Sequence, residues 1–117
     1  MTGWVCLQFK RPVDRFLGDC NSRTVYIVMS VHSPHEEHRA ALIDSMHRFG
    51  AAIDGEPGLI GIHTLEDHRS GRLVGLAIFE SPEDAARLLP AANEAVADDD
   101  FDTWEAADTE GFRLTEV

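Results

Sequence analysis

The sequence predicts an α+β domain in which two helices cover one face of a four-stranded antiparallel sheet. Two observations lead to this prediction. A strand followed by Ser-Pro and an acidic residue occurs twice, at Ser33-Pro34-His35-Glu36 and at Ser81-Pro82-Glu83-Asp84. The run 73–79 (LVGLAIF) has no polar side chain, so a strand there must be covered on both faces. The order strand, helix, strand, strand, helix, strand is the ferredoxin-like βαββαβ arrangement.

The first predicted strand, 24–32, is rich in β-branched residues. Because side chains alternate along a strand, one face carries four apolar side chains and the other is mixed. The apolar face consists of Val25, Ile27, Met29 and Val31, and the mixed face of Tyr26, Val28, Ser30 and His32.

The first predicted helix follows at once. Ser33 is expected to cap its first backbone donors, Pro34 suits the first helical position, and Glu36 completes a capping box. Spacings of 4, 3 and 4 residues then predict one apolar stripe, formed by Leu42, Met46, Phe49 and Ile53, and glycines end the helix at Gly55 and Pro57-Gly58.

The segment 59–80 is predicted to be a hairpin. Pairing Leu65 with Leu73 places His63 opposite Gly75 and Gly61 opposite Ala77. The other face is then all aliphatic, with Ile60, Ile62, Leu76 and Ile78.

The last third of the chain predicts a second helix after Ser81, with an apolar side at Ala85, Ala86, Leu88 and Leu89. Pro90 is expected to interrupt or kink it before it resumes over 91–97. An acidic loop, a helical turn around Trp104 and a final strand over 112–117 complete the order.

Length and composition predict one domain, 24–117, preceded by an extension, 1–23. The net charge of −11 disfavours binding to nucleic acid or to an anionic membrane surface, and no apolar run is long enough for a membrane span. Cys6 and Cys20 are too few for a disulfide scaffold, which favours a cytoplasmic protein with reduced thiols, although a bridge between them stays open.

Several motifs resemble the antibiotic biosynthesis monooxygenase domain of the dimeric α/β barrel superfamily. They are the order of elements over 24–117, Glu56-Pro57-Gly58, Leu65-Glu66-Asp67 and Phe79-Glu80-Ser81-Pro82-Glu83. The resemblance implies a homodimer with a pocket between sheet and helices in each subunit. It also implies, for some members, oxidation of polycyclic aromatic substrates by O₂ without metal or flavin, and for others haem degradation.

The chain departs from that family at several positions. Members often place Trp where this chain has Phe79, and many carry a His where it has Asp100. The haem-degrading branch uses an Asn on the first strand and a Trp on the second helix. The counterparts here are Val28 and either Leu88 or Leu89, with no obvious iron-ligating His, so haem degradation is not expected.

Among candidate site residues, His63 is predicted to act as a general base, because small residues opposite it leave space for a ligand. The alternative is a hydrogen-bonded or partner-facing histidine. The predicted substrate contacts are hydrogen bonds from Tyr26 and Ser30, the pocket mouth at His38, and aromatic walls at Phe79 and Trp104.

A metal site is not predicted, and neither is any cofactor. His32, His35 and His38 lie close in sequence, but a structural metal site needs four converging ligands. The aspartates at 98–102 lack the spacing and the glycine of a calcium loop, so a solvated acidic face is expected. The predicted function is cofactor-independent oxidation of a hydrophobic aromatic substrate, and the alternative is a non-catalytic ligand-binding or interaction module on the same fold.

The predicted sheet leaves one apolar face without helices, which favours a homodimer closed sheet against sheet. Burial of about 800 Å² per subunit at about 25 cal/mol/Å² would contribute about 20 kcal/mol before association costs. Size measurement in dilute solution is therefore expected to give about twice the 13.0 kDa chain mass. A stable, well-folded monomer would contradict this prediction.

Overall fold

The computed structural model describes residues 25–117, so the predicted extension 1–23, both cysteines and the first residue of the predicted domain lie outside the described part. The four strands are β1 (Tyr26–His32), β2 (Leu59–Glu66), β3 (Leu73–Phe79) and β4 (Glu110–Thr115). The α-helices are α1 (Arg39–Ala51), α2 (Pro82–Ala95) and the short α3 (Phe101–Trp104), and a 3₁₀ turn, Glu36–His38, precedes α1.

The strands form one antiparallel sheet in the order β2-β3-β1-β4. This order and the βαββαβ succession confirm the predicted ferredoxin-like α+β fold. The final strand begins two residues earlier than predicted and ends at Thr115. Within residues 25–117, no helix combines the length and the apolar character needed to cross a membrane.

The predicted register of the hairpin is wrong by one residue. Leu65 pairs with Val74 and His63 with Leu76. The turn causes the shift, because the Asp67 N–H donates to the Arg72 carbonyl at 2.8 Å and extends the ladder by one pair. A bulge at Ile60 then restores the predicted pairing of Leu59 with Phe79.

A shift of one residue moves every side chain of β2 to the opposite face of the sheet. Ile62 therefore shares a face with Ala77, and His63 shares a face with Leu76. The predicted division into an all-aliphatic face and a face of small residues around His63 is accordingly wrong.

The hydrophobic core lies between the sheet and the helices. Phe79 at its centre has no exposed surface, and Ile53, just beyond the end of α1, is 1% exposed. The remaining buried members of the cluster come from β3 and α2 and are Ala77, Ala85, Leu88 and Ala92. α2 runs through Pro90 to Ala95, so the predicted interruption at this proline is not observed, and the alternative of a kink stays a prediction.

The two helix starts differ although their sequences are alike. Ser81 caps α2 as predicted, because its Oγ accepts the Asp84 N–H at 3.1 Å. The predicted cap at Ser33 is wrong: its N–H donates to Glu105 Oε1 at 3.0 Å, and α1 begins only at Arg39.

The opposite face of the sheet carries apolar side chains that no described helix covers. Phe112 and Leu114 on β4 and Leu65 on β2 are 38%, 39% and 44% exposed. The side chains between them on β1 and β3 are Ile27, Met29, Leu76 and Ile78, all of them half-buried. An apolar face of this extent is typical of a surface that another protein covers.

Replacing Phe79 by Ala is expected to lower the free energy of unfolding by about 3–5 kcal/mol, because a fully buried aromatic side chain is lost and a cavity remains. Urea denaturation measures the change. Val117→Ala, at an exposed position, serves as control and should alter stability by less than about 0.5 kcal/mol. Equal stability of the two variants would contradict this placement of the core.

Candidate functional site

A half-open cavity of about 1180 Å³ is lined by α1, the end of α2 and all four strands. Its sheet lining comes from both faces: Val28, Ser30 and Ala77 lie on the helix-covered face, and Met29, Leu65 and Leu76 lie on the helix-free face. Its lining is largely apolar and includes Val28, Met46, Phe49, Leu89 and Phe101. Its polar lining on the central strand consists of Ser30 and His32. A concave site with apolar walls and few polar groups is the usual form of a small-molecule site.

These polar groups belong to a hydrogen-bonded chain of three side chains. The Ser30 Oγ lies 2.9 Å from His32 Nε2, and His32 Nδ1 lies 2.5 Å from Glu105 Oε2. His32 is 9% exposed, and the Glu105 side chain is 6% exposed. The arrangement is a Ser-His-carboxylate chain largely removed from solvent.

The positions of these groups follow from strand geometry and from two local contacts. Ser30 and His32 are two residues apart on β1, so both point to the side of the sheet that the helices cover. Opposite Ser30 stands Gly75, where a Cβ atom would lie 2.8 Å from Ser30 Oγ and 3.3 Å from Met46 Cε. A larger residue at position 75 would therefore displace the serine hydroxyl or Met46.

Glu105 is held in place by the segment that follows α3. Its two carboxylate oxygens accept the Ser33 N–H at 3.0 Å and the Thr109 hydroxyl at 3.0 Å, in addition to the bond with His32. Backbone bonds from His35 N to the Trp104 carbonyl and from Ala106 N to the Ser33 carbonyl fasten the same segment. The carboxylate is thus fixed before any ligand binds.

A second polar group ties the acidic loop to α1. Asp99 accepts hydrogen bonds from the Ser45 hydroxyl at 2.6 Å and from Arg48 Nη2 at 2.9 Å. The bond from Ser45 is the main reason that the pKa of Asp99 is lowered, with Arg48 adding to the effect. The prediction of a solvated acidic face therefore does not describe Asp99, which attaches this loop to α1.

Two of the predicted site residues line the cavity. Ser30 does so from the central strand, as the alternation of β1 predicts. His63 also borders the cavity, but it is exposed and lies on the helix-free face of the sheet together with Leu65 and Leu76. The expectation that it lies opposite Gly75 and Ala77 is wrong.

The other predicted contacts do not line the cavity. Phe79 is fully buried in the core, and the half-buried Tyr26 packs against the same cluster. The His38 ring stacks edge to face on His35, with 6.4 Å between ring centroids. Trp104 lies edge to face on Phe101 at 5.7 Å, and of these two only Phe101 reaches the cavity.

Sequence reasoning missed the hydrogen bond between His32 and Glu105. The alternation of β1 already placed His32 on the face of Ser30, which was a usable signal. For Glu105 the sequence carried no such signal, because Glu105 is 73 residues from its partner.

Over the described range 25–117, no group of three or more His, Cys, Asp or Glu residues converges as a metal site.

The architecture defines the chain as a ferredoxin-like α+β domain with a half-open cavity along its sheet. The sequence matches no family profile and no curated protein. Solved structures do match its fold.

Three of them show the extent of the likeness. Rv0793 from Mycobacterium tuberculosis is 17% identical with a TM-score of 0.67, over 80% of this chain and 95% of that one. A "putative antibiotic biosynthesis monooxygenase" from Nitrosomonas europaea is 19% identical with a TM-score of 0.59, over 76% and 95%. Another so described, from Chloroflexus aurantiacus, is 22% identical with a TM-score of 0.57, over 80% and 93%. The resemblance to antibiotic biosynthesis monooxygenases is thereby confirmed at the level of the fold.

Replacing Glu105 by Ala is expected to lower the free energy of unfolding by about 2–3 kcal/mol, because His32 and the Ser33 N–H lose a buried, charged acceptor. Urea denaturation at neutral pH is the measurement. Glu110→Ala removes an exposed carboxylate from the same region and should cost less than about 0.5 kcal/mol. A loss at position 105 no greater than at position 110 would contradict the structural role of Glu105.

Proposed function

We propose that this protein is a cofactor-independent monooxygenase that oxidises a hydrophobic aromatic substrate with O₂ in the cavity between sheet and helices. The observation that carries the proposal is a half-open cavity with a largely apolar lining that includes Ser30 and His32, two members of a Ser-His-carboxylate chain. The shared fold with structures described as antibiotic biosynthesis monooxygenases supports it.

The walls of the cavity suit a flat aromatic molecule. Phe49 and Phe101 offer ring faces or edges, and Val28, Met46 and Leu89 supply aliphatic surface. Such walls exclude water from the reacting carbon and leave few polar groups to compete with the substrate's own hydroxyl groups.

Chemistry without a cofactor requires a substrate that itself supplies electrons to O₂. Removal of a proton from an activated aromatic compound leaves an electron-rich anion that can react with O₂. A methylene group between two aromatic rings then becomes a carbonyl group, with one oxygen atom retained in the product and the other released as water. The part of the protein is to bind the substrate and accept its proton.

Ser30 is the predicted substrate contact that stands on the cavity surface, and it is assigned to bind a substrate hydroxyl group. Tyr26 and Phe79 support the cavity from the core behind it. His38 and Trp104 stand outside the cavity lining, and Trp104 supports the cavity indirectly because its ring packs against Phe101. The assignment of His63 as the base stays a prediction, and it has to account for the position of His63 on the helix-free face of the sheet beside Leu76.

We further propose that the protein is cytoplasmic and forms a homodimer through the helix-free face of the sheet. The exposed side chains of Leu65, Phe112 and Leu114 support this assembly, since an apolar face of this size is costly in water.

A second candidate function is ligand binding without catalysis. The observation in its favour is that every hydrogen bond of Glu105 also serves the fold, so the Ser-His-carboxylate chain has a structural use without any reaction. Binding of an aromatic ligand with no consumption of O₂ would select this alternative.

Oxygen uptake with a panel of aromatic quinols and of methylene-bridged hydroxyaromatics tests the first function. The wild type is expected to consume O₂ with at least one of them, with one oxygen atom of labelled O₂ found in the product. Replacing His63 by Ala is expected to lower turnover by about 10²-fold or more while far-UV circular dichroism stays unchanged, as for loss of a general base.

Ile60→Ala is the control, because Ile60 is exposed on the same strand outside the cavity lining, and its turnover should stay within about twofold of wild type. Unchanged turnover of His63→Ala would remove His63 from the mechanism. Absence of O₂ uptake with every compound that binds would reject the monooxygenase in favour of the binding module.

A further inference from the structure

We infer that Ser30, His32 and Glu105 form a proton relay that takes up the hydroxyl proton of a phenolic ligand bound in the cavity. The inference takes its ligand class, phenolic compounds, from the proposed function and rests on it. It deepens that function because it names the group that accepts the hydroxyl proton of the ligand. The group that removes a proton from carbon is a separate matter. The chain of two hydrogen bonds, 2.9 Å and 2.5 Å long, is its geometric basis.

The direction of the chain follows from the donors and acceptors present. An ionised Glu105 can only accept, so His32 Nδ1 must carry a proton and donate it. In a neutral imidazole the other nitrogen, Nε2, is then an acceptor, and the Ser30 hydroxyl donates to it. The orientation of each hydrogen is thus set from the carboxylate outward.

This direction selects the ligand group that meets Ser30. The serine hydroxyl has one proton, which is committed to His32, and two lone pairs for acceptance. Within the described residues its hydroxyl has no other partner. A ligand in the cavity can therefore donate a hydrogen bond to Ser30, which favours a phenolic hydroxyl group over a carbonyl group.

The proton transfer balances without any further reagent. The phenol O–H bond breaks and its proton joins Ser30 Oγ, while the Ser30 proton moves to His32 Nε2. The products are a phenolate and an imidazolium ion, with Ser30 again a neutral hydroxyl group. Glu105 positions the ring and lies 2.5 Å from it, where its charge balances the charge that the ring acquires.

The same three residue types act as a nucleophilic triad in hydrolases, but the surroundings here do not suit that reaction. Ser30 lies in the middle of a central strand and pairs with Gly75 on one side and Gly111 on the other. Its neighbouring backbone N–H groups are engaged in the sheet, which leaves no paired donors for a tetrahedral oxyanion. Proton uptake needs no such donors.

Other titratable or charged groups border the same cavity and must be separated from the relay. They lie on each element around it and are His47 and Asp54 on or after α1, His63 on β2 and Arg113 on β4. Asp99 is paired with Arg48 across the acidic loop. A cation such as Arg113 would favour a bound phenolate whether or not Ser30 is present. The effect of replacing Ser30 on the ionisation of the ligand therefore distinguishes Arg113 from the relay.

The experiment uses the full chain and para-nitrophenol, whose ionised form is identified by its visible absorbance. Titration of the bound ligand is expected to show a pKa about one to two pH units below that of free para-nitrophenol, the effect of one charge-assisted hydrogen bond. Ser30→Ala and His32→Gln should abolish this shift, and Glu105→Gln should reduce it. Thr64→Val, which removes a hydroxyl group opposite Gly75 on the same sheet face, should leave it unchanged.

The outcomes separate the relay from the proposed function. An equal shift in the wild type and in Ser30→Ala would overturn the relay and assign the effect to Arg113 or another cation. Failure of para-nitrophenol and of the larger quinols to bind the wild type would overturn the proposed function, and the relay would lose its ligand with it.

A second measurement needs no ligand. NMR of the His32 ring nitrogens in the free protein at neutral pH is expected to show the proton on Nδ1 and a bare Nε2. A neutral ring protonated on Nε2 instead would overturn the relay on its own. Circular dichroism of each variant verifies that the fold is retained.

Discussion

The structure depends above all on covering both faces of β3, whose seven side chains contain no polar group. One face is covered within the chain, where Leu73, Ala77 and Phe79 are buried beneath the helices. The other face has only its neighbours in the sheet, and its side chains are half-buried. Because apolar surface in water is costly, the same strand that organises the core also creates the need for a partner on the outer face.

Glu105 links the fold to the proposed relay. The carboxylate holds the segment after α3 against the end of β1, and by the same bonds it fixes the orientation of the His32 ring. Stability and site geometry are therefore coupled through one side chain. A carboxylate so fully used by the fold needs no reorganisation when a ligand arrives, which is the condition under which a preorganised site is most effective.

The candidate site could be predicted in part. The alternation of side chains on β1 was sufficient to place Ser30 on the same face as Tyr26 and His32, because the period of a strand is a local property, but it left open which face the helices cover. The register of the hairpin was not predictable in the same way. Both registers bury apolar side chains on both faces, and the backbone bond of Asp67 to Arg72 together with the bulge at Ile60 selects between them. The position of His63 followed the register and was wrong for that reason.

The helix starts make the same point. Ser33 and Ser81 stand in nearly the same local sequence, yet only Ser81 caps a helix, because the backbone around Ser33 is bonded to the segment 104–106 instead. A local capping motif shows that a segment is able to start a helix. It does not show whether a distant segment will bond the same backbone groups instead. The predicted interruption at Pro90 does not occur either, since packing of α2 on the core outweighs one missing backbone donor.

The sequence by itself determined the order of the elements, the antiparallel ferredoxin-like sheet, the need to cover both faces of β3 and the face of β1 that carries Ser30 and His32. These features rest on periodicity and on capping, which act over a few residues. The tertiary structure alone decided which histidine meets a carboxylate and which face of β2 looks toward the helices. The reason is physical: the bond from His32 to Glu105 joins residues 73 apart, and such a contact forms only when the sheet has closed and the last segment has docked on β1.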